Sequence, residues 1–307
     1  MNKKLLSILI ALVLAVSLML IPASLVSANP DSGIVGLWHF DEGSGTTASD
    51  SSGNGNDGTL LPTGSGPTWV SGKFGRALSF DGTDDYVSVP DSLSLDIGTS
   101  DFTIEAWIKL GTTADDYYGI YDKGKGRTSG EGRYSLFVTP WDTLRLHIYG
   151  QSGSEFAYYD STLTIDDTNW HYVAVSCDRD ANAIFAIDDS TETVDISGSS
   201  SHDVSSTYDA AIGVRQWDKG DHWFNGDIDE VRIWEEARSA SQIQQTYAVP
   251  WGSKAFILKD SGVPGKGLDN APGQQKPFNP KSQADDHAGK KPSNPNSQAG
   301  NNAGKKK

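Results

Sequence analysis

Short apolar segments with a repeat of two residues run along most of the chain and predict β-strands. Side chains on a strand point alternately to opposite faces, so a half-buried strand alternates apolar and polar residues. This alternation is clear in residues 102–108 and 144–149. The predicted strands are Ile34–Phe40, Arg76–Phe80, Tyr86–Pro90, Phe102–Leu110, Tyr117–Asp122, Tyr134–Thr139, Thr143–Tyr149, Phe156–Tyr159, His171–Cys177, Ala183–Ile187, Ala210–Val214 and Asp227–Trp234. Many short strands separated by turn formers such as Asp81-Gly82 predict an all-β, two-sheet antiparallel sandwich.

The last predicted strand carries several charges next to the core. Strict alternation places Asp227, Asp229, Val231 and Ile233 on one face and Ile228, Glu230, Arg232 and Trp234 on the other. A buried carboxylate is costly unless it is paired or bound to a metal, so Asp229 is the first candidate for a functional role. After this strand, Ser239-Ala240-Ser241-Gln242 has the form of a capping box, which predicts a short helix to about Ala248.

Both ends of the chain differ from this strand-rich part. Lys3-Lys4, an apolar run over residues 5–21 and the small residues 26–28 indicate a signal peptide over residues 1–28, and therefore a secreted or cell-surface protein. An uncleaved membrane anchor is the alternative, although the run is slightly short for a spanning helix. Residues 252–307 are rich in Gly, Pro, Asn, Gln, Ser and Lys, which predicts a disordered tail. The folded domain is therefore expected at residues 29–251.

Charge divides the chain at the same place. Residues 29–251 contain 36 acidic and 13 basic side chains, a net charge of −23, whereas residues 252–307 contain 10 Lys and 4 Asp, a net charge of +6. The acidic domain argues against nucleic acid as a partner, because phosphates need a basic surface. The basic tail either keeps the protein soluble or contacts an anionic cell envelope through Lys290-Lys291 and residues 305–307. The one cysteine, Cys177, cannot form an internal disulfide, and we expect it to be buried at the end of its strand.

Six segments follow one another in a familiar order between residues 34 and 251. They are Gly36–Gly45, Asp50–Gly58, Ala77–Gly82 with Asp85–Val87, Phe102–Ile108, Trp170–Ala174 and Asn225–Trp234. Their content and spacing resemble the laminin-G-like jelly-roll domains of the concanavalin A-like lectin/glucanase superfamily. The resemblance implies two curved antiparallel sheets, a first strand next to the last and, in many members, one bound calcium ion. It says less about function, because this fold hosts lectins, adhesion modules and enzymes.

The loop from Asp50 to Asp57 offers the hard oxygen ligands that calcium prefers. If the terminal strands pair as the resemblance implies, we expect Asp50, Asn56 and Asp229 to bind the ion, with backbone oxygens around Gly53. One alternative is that the loop is a glycine turn held by Asx bonds. Another is that the ion lies at Asp81, Asp84 and Asp85, which otherwise form a polar hairpin turn.

Aromatic residues in predicted turns are the candidates for ligand binding. Sugar binding needs aromatic faces for the apolar side of the ring and polar groups for its hydroxyls, and an exposed aromatic side chain in a turn often marks binding. The candidate residues are Trp141, Arg215, Trp217 and Trp223. The alternative is that these tryptophans fold back over the edge of the sandwich.

Catalysis is not expected. The segment Asp227–Glu230 is similar to the carboxylate cluster of laminarinase-type glycoside hydrolases, but Val231 stands where a third carboxylate is needed. The leading hypothesis is therefore non-catalytic binding of an extracellular polysaccharide or glycoconjugate. The competing hypothesis is a surface adhesion or structural module that recognises a protein.

Overall fold

The computed structural model describes residues 33–128, 130–215 and 222–248, with the backbone alone at residues 126–128. These residues belong to one compact unit of the chain. The predicted signal peptide at 1–28 and the predicted tail at 252–307 lie outside the described residues. Within the described part, no helix is long and apolar enough to cross a membrane.

Sixteen strands are found in the described residues. They are β1 (Ile34–Trp38), β2 (Thr47–Ala48), β3 (Gly58–Leu61), β4 (Thr68–Ser71), β5 (Arg76–Asp81), β6 (Tyr86–Val89), β7 (Phe102–Leu110), β8 (Tyr118–Thr128), β9 (Glu131–Val138), β10 (Thr143–Tyr149), β11 (Phe156–Thr164), β12 (Trp170–Cys177), β13 (Asn182–Ile187), β14 (Ser190–Asp195), β15 (Ala210–Ile212) and β16 (Asn225–Trp234). Two short 3-10 helices span Leu93–Leu95 and Ser197–Ser199, and helix α1 spans Ala240–Ala248.

The strands form two antiparallel sheets, which confirms the predicted sandwich. Sheet I has the order β14-β13-β12-β7-β16-β5-β4, with β1 also paired to β16. Sheet II has the order β11-β10-β9-β8-β15-β6-β3-β2. The pairing of β1 with β16 confirms that the first and last strands are neighbours.

The main core lies between the two sheets and is built from alternate residues of their strands. Ile104, Ala106 and Ile108 of β7 face Leu136 of β9 and Leu146 of β10 in one apolar cluster. Cys177 is a free thiol in this cluster, as predicted, and burial raises its pKa strongly. The predicted alternation in β7 and β10 is therefore confirmed.

Strict alternation is wrong for the second half of β16, because the strand contains a β-bulge. Its pairing with β7 shifts between Asp229 and Arg232, and Glu230 adopts a φ of 54°. The bulge adds one residue and so reverses the faces that follow it. In consequence Val231 and Ile233 point into the main core on the same side as Ile228, which precedes the bulge. Arg232 points away from the core, on the same side as Asp229.

The outer face of sheet I is covered by the chain that follows β16. Helix α1 begins with the predicted capping box: the Gln242 side chain accepts a hydrogen bond from Ser239 N at 2.8 Å. Ile243 of α1 packs on Trp107 and Tyr172 in a second apolar cluster. Before the helix, Arg238 Nη1 donates to the buried Glu105 carboxylate at 3.1 Å. The segment 235–248 is thus held on sheet I by an ion pair and by apolar contacts.

Candidate functional site

The face of sheet II that points away from the main core carries polar and aromatic side chains in register. Three rows cross β9, β10 and β11 on this face. They are Phe137–Arg145–Asp160, Ser135–His147–Tyr158 and Arg133–Tyr149–Phe156. The residues between these rows, such as Leu136, Leu146 and Ile148, fill the core instead. Period-two alternation therefore builds one apolar face and one face of aromatic rings and hydrogen-bonding groups.

A cavity of about 220 Å³ opens on this face. It is lined by Tyr117, Phe137, Arg145, His147, Tyr149, Tyr158 and Arg215. At its margin Tyr158 and Phe156 are 56% and 49% exposed, which is unusual for large aromatic side chains. Most of the lining is aromatic, and its polar groups are nitrogen donors and phenolic hydroxyls. We call this cavity with its margin the aromatic groove.

Arg145 holds two rings of the aromatic groove in place. Its guanidinium carbon lies 4.5 Å from the ring centre of Tyr158 and 5.0 Å from that of Tyr117. The guanidinium also binds the Asp160 carboxylate with two nitrogens, one of them at 2.7 Å, and donates to the Tyr117 hydroxyl at 3.0 Å. Hydrogen bonding to Asp160 raises the pKa of Arg145. The positive charge is thereby balanced, and the rings are fixed before any ligand arrives.

Two buried hydrogen-bonding groups of β9, in the same rows as His147 and Tyr149, have no protein partner, although neither lines the cavity itself. Arg133 is buried and forms a bidentate ion pair with Asp122 at 2.7 and 2.8 Å, but its Nη1 atom has no hydrogen-bond partner. The buried hydroxyl of Ser135, in the neighbouring row, also has none. Buried polar groups are normally satisfied by protein, water or ligand, so these two atoms are exceptions on the outward face of β9.

The predicted ligand-binding residues are only partly brought together. Trp141, in the turn between β9 and β10, is 65% exposed and meets the edge of Tyr117 at a ring distance of 6.4 Å. Arg215 lines the aromatic groove. Trp223 is half-buried and packs on Tyr86 at 5.9 Å, and Trp217 lies outside the described residues.

Tyr117 contacts Trp141 on one side and the segment that contains Trp223 on the other. Its ring also lies 5.3 Å from His222, the residue before Trp223, and His222 in turn pairs with Asp116 at 2.8 Å. Tyr117, Arg145, His147 and Tyr158 are not among the residues that the sequence predicts to bind a ligand. The available signal was the alternation in β10, where Arg145, His147 and Tyr149 follow one another at every second position.

Asp50 and Asn56 lie together, but their polar atoms already form hydrogen bonds within the loop, to β1 and to Ser94. The Asp50 carboxylate accepts from Leu37 N, Ser52 N and Asn56 N at 2.9–3.0 Å, and from the Ser52 hydroxyl at 2.8 Å. The Asn56 amide donates to Val35 O at 2.7 Å and to Ser94. This arrangement corresponds to the alternative of a glycine turn held by Asx bonds.

Asp229 lies on the outer face of sheet I, where it contacts a different turn. Its Oδ2 atom accepts from Phe74 N at 2.9 Å, whereas its Oδ1 atom is buried without a hydrogen-bond partner. Burial raises the pKa of Asp229 to about 8. A side chain at Gly72 would approach Oδ2 to 2.6 Å, so a glycine is needed for this contact. None of the described hydrogen bonds of Asp229 leads to Asp50 or Asn56, and calcium binding by these three residues stays a prediction.

The three aspartates of the alternative metal site predicted from the sequence do lie together. Asp81, Asp84 and Asp85 each offer a carboxylate oxygen within 4.8 Å of the others. Among the described residues, these three are the His, Cys, Asp or Glu side chains that come close enough to hold one metal ion.

Comparisons with known proteins agree with this architecture. A family model described as "Concanavalin A-like lectin/glucanases superfamily" (Laminin_G_3) matches residues 81–244, more than half of the chain. The chain belongs to this superfamily. None of the curated proteins matches it. The resemblance seen in the six sequence segments is thereby confirmed.

Several solved structures have the same fold at low sequence identity. The binding domain of Paraclostridial Mosquitocidal Protein 1 matches with a TM-score of 0.56 and 13% identity, over 71% of this chain and 52% of its own. Domain 4 of AbnA, a GH43 extracellular arabinanase from Geobacillus stearothermophilus, solved with arabinotriose, matches with a TM-score of 0.53 and 22% identity, over 69% of this chain and 97% of its own. The botulinum neurotoxin serotype D ligand binding domain, solved with N-acetylneuraminic acid, matches with a TM-score of 0.53 and 12% identity, over 72% of this chain and 52% of its own. The chain thus spans about half the length of the toxin domains that it matches.

Proposed function

We propose that this superfamily member binds carbohydrate without catalysis and that the aromatic groove is its sugar-binding site. The observation that carries the proposal is the groove itself, in which exposed rings lie at a cavity lined by aromatic side chains, arginine and histidine. Sugar rings have apolar C–H faces that pack on aromatic side chains, and their hydroxyls need donors and acceptors nearby. Two structural neighbours, the arabinanase domain and the serotype D toxin domain, were solved with carbohydrate ligands.

We also infer that binding is not followed by hydrolysis. Glycoside hydrolysis needs two carboxylates that face one cleft. The described lining of the aromatic groove contains arginine, histidine and aromatic residues but no carboxylate. Asp227 and Asp229 lie on the other sheet, and the next outward residue after the bulge is Arg232. We propose a secreted or cell-surface location, in keeping with the signal peptide that the sequence predicts, and a structural calcium ion, as the family resemblance implies.

Binding to a panel of neutral and acidic polysaccharides, measured by affinity electrophoresis and isothermal titration calorimetry, tests the proposal. Tyr158→Ala removes an exposed ring of the aromatic groove, and Trp141→Ala removes an exposed ring that contacts Tyr117 of the groove. Each change is expected to weaken binding at least tenfold. Tyr208→Ala is the matched control, because Tyr208 is also exposed but does not line the groove. Circular dichroism of each variant checks that the fold is retained.

Three outcomes distinguish the hypotheses. Loss of binding in both groove variants with full binding in the control supports the proposal. Equal binding by all the variants would place the sugar elsewhere on the protein. No binding to any polysaccharide by the folded wild-type protein would overturn the proposal and favour the module that recognises a protein partner.

A further inference from the structure

Three aspartates at the turn between β5 and β6 hold their carboxylates close together. Asp81 is the last residue of β5, and Asp84 and Asp85 directly precede β6. Gly82, at a φ of 75°, lets the chain reverse so tightly that these side chains meet. Asp81 and Asp84 are exposed to solvent, whereas Asp85 is only 4% exposed.

The buried member of this group has an oxygen that nothing in the protein uses. Asp85 Oδ2 accepts a hydrogen bond from Asp81 N at 3.0 Å, but Asp85 Oδ1 is buried without a partner. A buried acceptor of this kind is unfavourable unless water or an ion satisfies it. It is a second observation, separate from the acidic character of the turn, that indicates a missing ligand.

The negative charge of the turn is also uncompensated. In the part of the chain that the structure describes, the ion pairs of Lys, Arg and His go to other carboxylates and none goes to these three. Like charges held together in this way repel each other unless a cation lies between them.

We propose that Asp81, Asp84 and Asp85 bind a divalent cation, with calcium as the preferred ion. Calcium binds oxygens at about 2.3–2.6 Å, so two oxygens on one ion lie at most about 5 Å apart. The carboxylate oxygens of the turn, within 4.8 Å of one another, meet this limit. Calcium also tolerates irregular ligand geometry, whereas magnesium demands a near-ideal octahedron and retains its water. Water would complete the coordination on the exposed side of the turn.

The proposed ion would connect the turn to the half-buried tryptophan of the predicted ligand surface. Tyr86 follows Asp85 directly, and its ring packs on Trp223 at 5.9 Å. On the other side, Gly82 lies against Asn225, the first residue of β16, where an added side chain would approach to 2.9 Å. A bound cation would therefore hold Tyr86 and Trp223 in a fixed position at this end of the sandwich.

Terbium luminescence and calcium calorimetry on the purified protein test the site. Terbium replaces calcium at oxygen sites, and Tyr86 and Trp223 lie beside the turn to transfer excitation to it. The main variant is Asp84→Asn, since Asp84 is exposed and its replacement leaves the Asp85 hydrogen bond intact. Asp189→Asn is the control, because it removes the same charge from another exposed turn. Asp229→Asn tests the competing metal ligand, and magnesium is titrated in parallel.

We expect the wild-type protein to bind one calcium at this site, to give sensitised terbium emission that calcium reverses, and to bind magnesium at least tenfold more weakly. Asp84→Asn is expected to weaken calcium binding at least tenfold, and Asp189→Asn to leave it unchanged. Three results would overturn the proposal: no calcium binding by the folded wild-type protein, unchanged binding in Asp84→Asn, or loss of binding in Asp229→Asn alone. The last result would assign the ion to the outer face of sheet I instead. None of these readouts depends on carbohydrate binding.

Discussion

Asp229→Asn is expected to make the protein more stable at neutral and alkaline pH. The side chain is fully buried, one oxygen accepts the Phe74 N–H, and the other has no partner. An asparagine keeps the acceptor for Phe74 and cannot ionise. The wild-type protein, by contrast, has to hold a buried carboxylate whose pKa burial raises from 3.8 to about 8.

The magnitude follows from proton linkage. Between about pH 4 and pH 8 the native state keeps the Asp229 proton and the unfolded chain has lost it, so the free energy of unfolding falls as pH rises. The slope is at most about 1.4 kcal/mol per pH unit, which amounts to an upper limit of about 6 kcal/mol over the whole interval. The stability of Asp229→Asn lacks this slope. The two proteins are therefore expected to be similar near pH 4 and to diverge steadily up to about pH 8.

Urea unfolding, followed by tryptophan fluorescence from pH 4 to pH 9 in the presence of a chelator, measures this difference. Trp107, one of the nine tryptophans, lies opposite Asp229 on β7 and contributes to the signal from this part of sheet I. Asp227→Asn is the control, because it removes the same charge two residues earlier from a side chain that pairs with Lys109. Parallel pH profiles for the wild-type protein and Asp229→Asn would refute the burial argument.

Three further changes test what stabilises sheet I and the chain packed on its outer face. Arg238→Ala leaves the buried Glu105 carboxylate without its cation and is expected to lower the free energy of unfolding in urea by about 3–5 kcal/mol. Adding Glu105→Gln to this variant should recover part of the loss. An unchanged free energy of unfolding in Arg238→Ala would show that the ion pair is replaceable. Ile243→Ala removes the apolar contact of α1 and is expected to lower the free energy of unfolding by about 2–4 kcal/mol and to speed hydrogen exchange in the helix. Unchanged exchange would contradict the inference that Ile243 holds α1 on sheet I. The hydrogen bond to Asp188 raises the pKa of His171 to about 9, so its stabilising effect is complete below about pH 6.5 and is lost as pH rises through 9. The difference between wild type and His171→Gln in urea unfolding should therefore shrink over that range, and a constant difference would exclude this linkage.

The strands that the sequence predicts are those with apolar residues facing the core. Two of the strands that it misses, β4 (Thr68–Ser71) and β14 (Ser190–Asp195), lie at sheet edges and are mostly polar or half-exposed. An edge strand has a neighbour on one side only and is open to solvent on the other, so fewer of its residues have to be apolar. The bulge at Glu230 was also hidden, since a charged residue gives no local signal for a positive φ.

The residues of the proposed sugar-binding site also differ in whether the sequence alone reveals them. Trp141 stands out in the sequence because a tryptophan in a turn is conspicuous, and it is indeed exposed. Tyr117, Arg145 and Tyr158 come from separate segments and meet only because β8, β9, β10 and β11 pair in a particular register. The acidic turn is the opposite case, since Asp81, Asp84 and Asp85 are adjacent in sequence, but their unused oxygen is visible only in the folded protein.

The position of β16 in the middle of sheet I has a consequence for how the protein folds. This strand is the last of the sandwich to be synthesised, yet it pairs with β1, β5 and β7, and its Asp227 meets a lysine 118 residues earlier in the chain. Until β16 arrives, β5 and β7 present open edges to one another with no strand between them. Such long-range pairing folds slowly, and a growing chain stays open until almost the whole domain has been made. Open strand edges tend to pair with other chains, so these two edges favour aggregation until synthesis has passed Trp234.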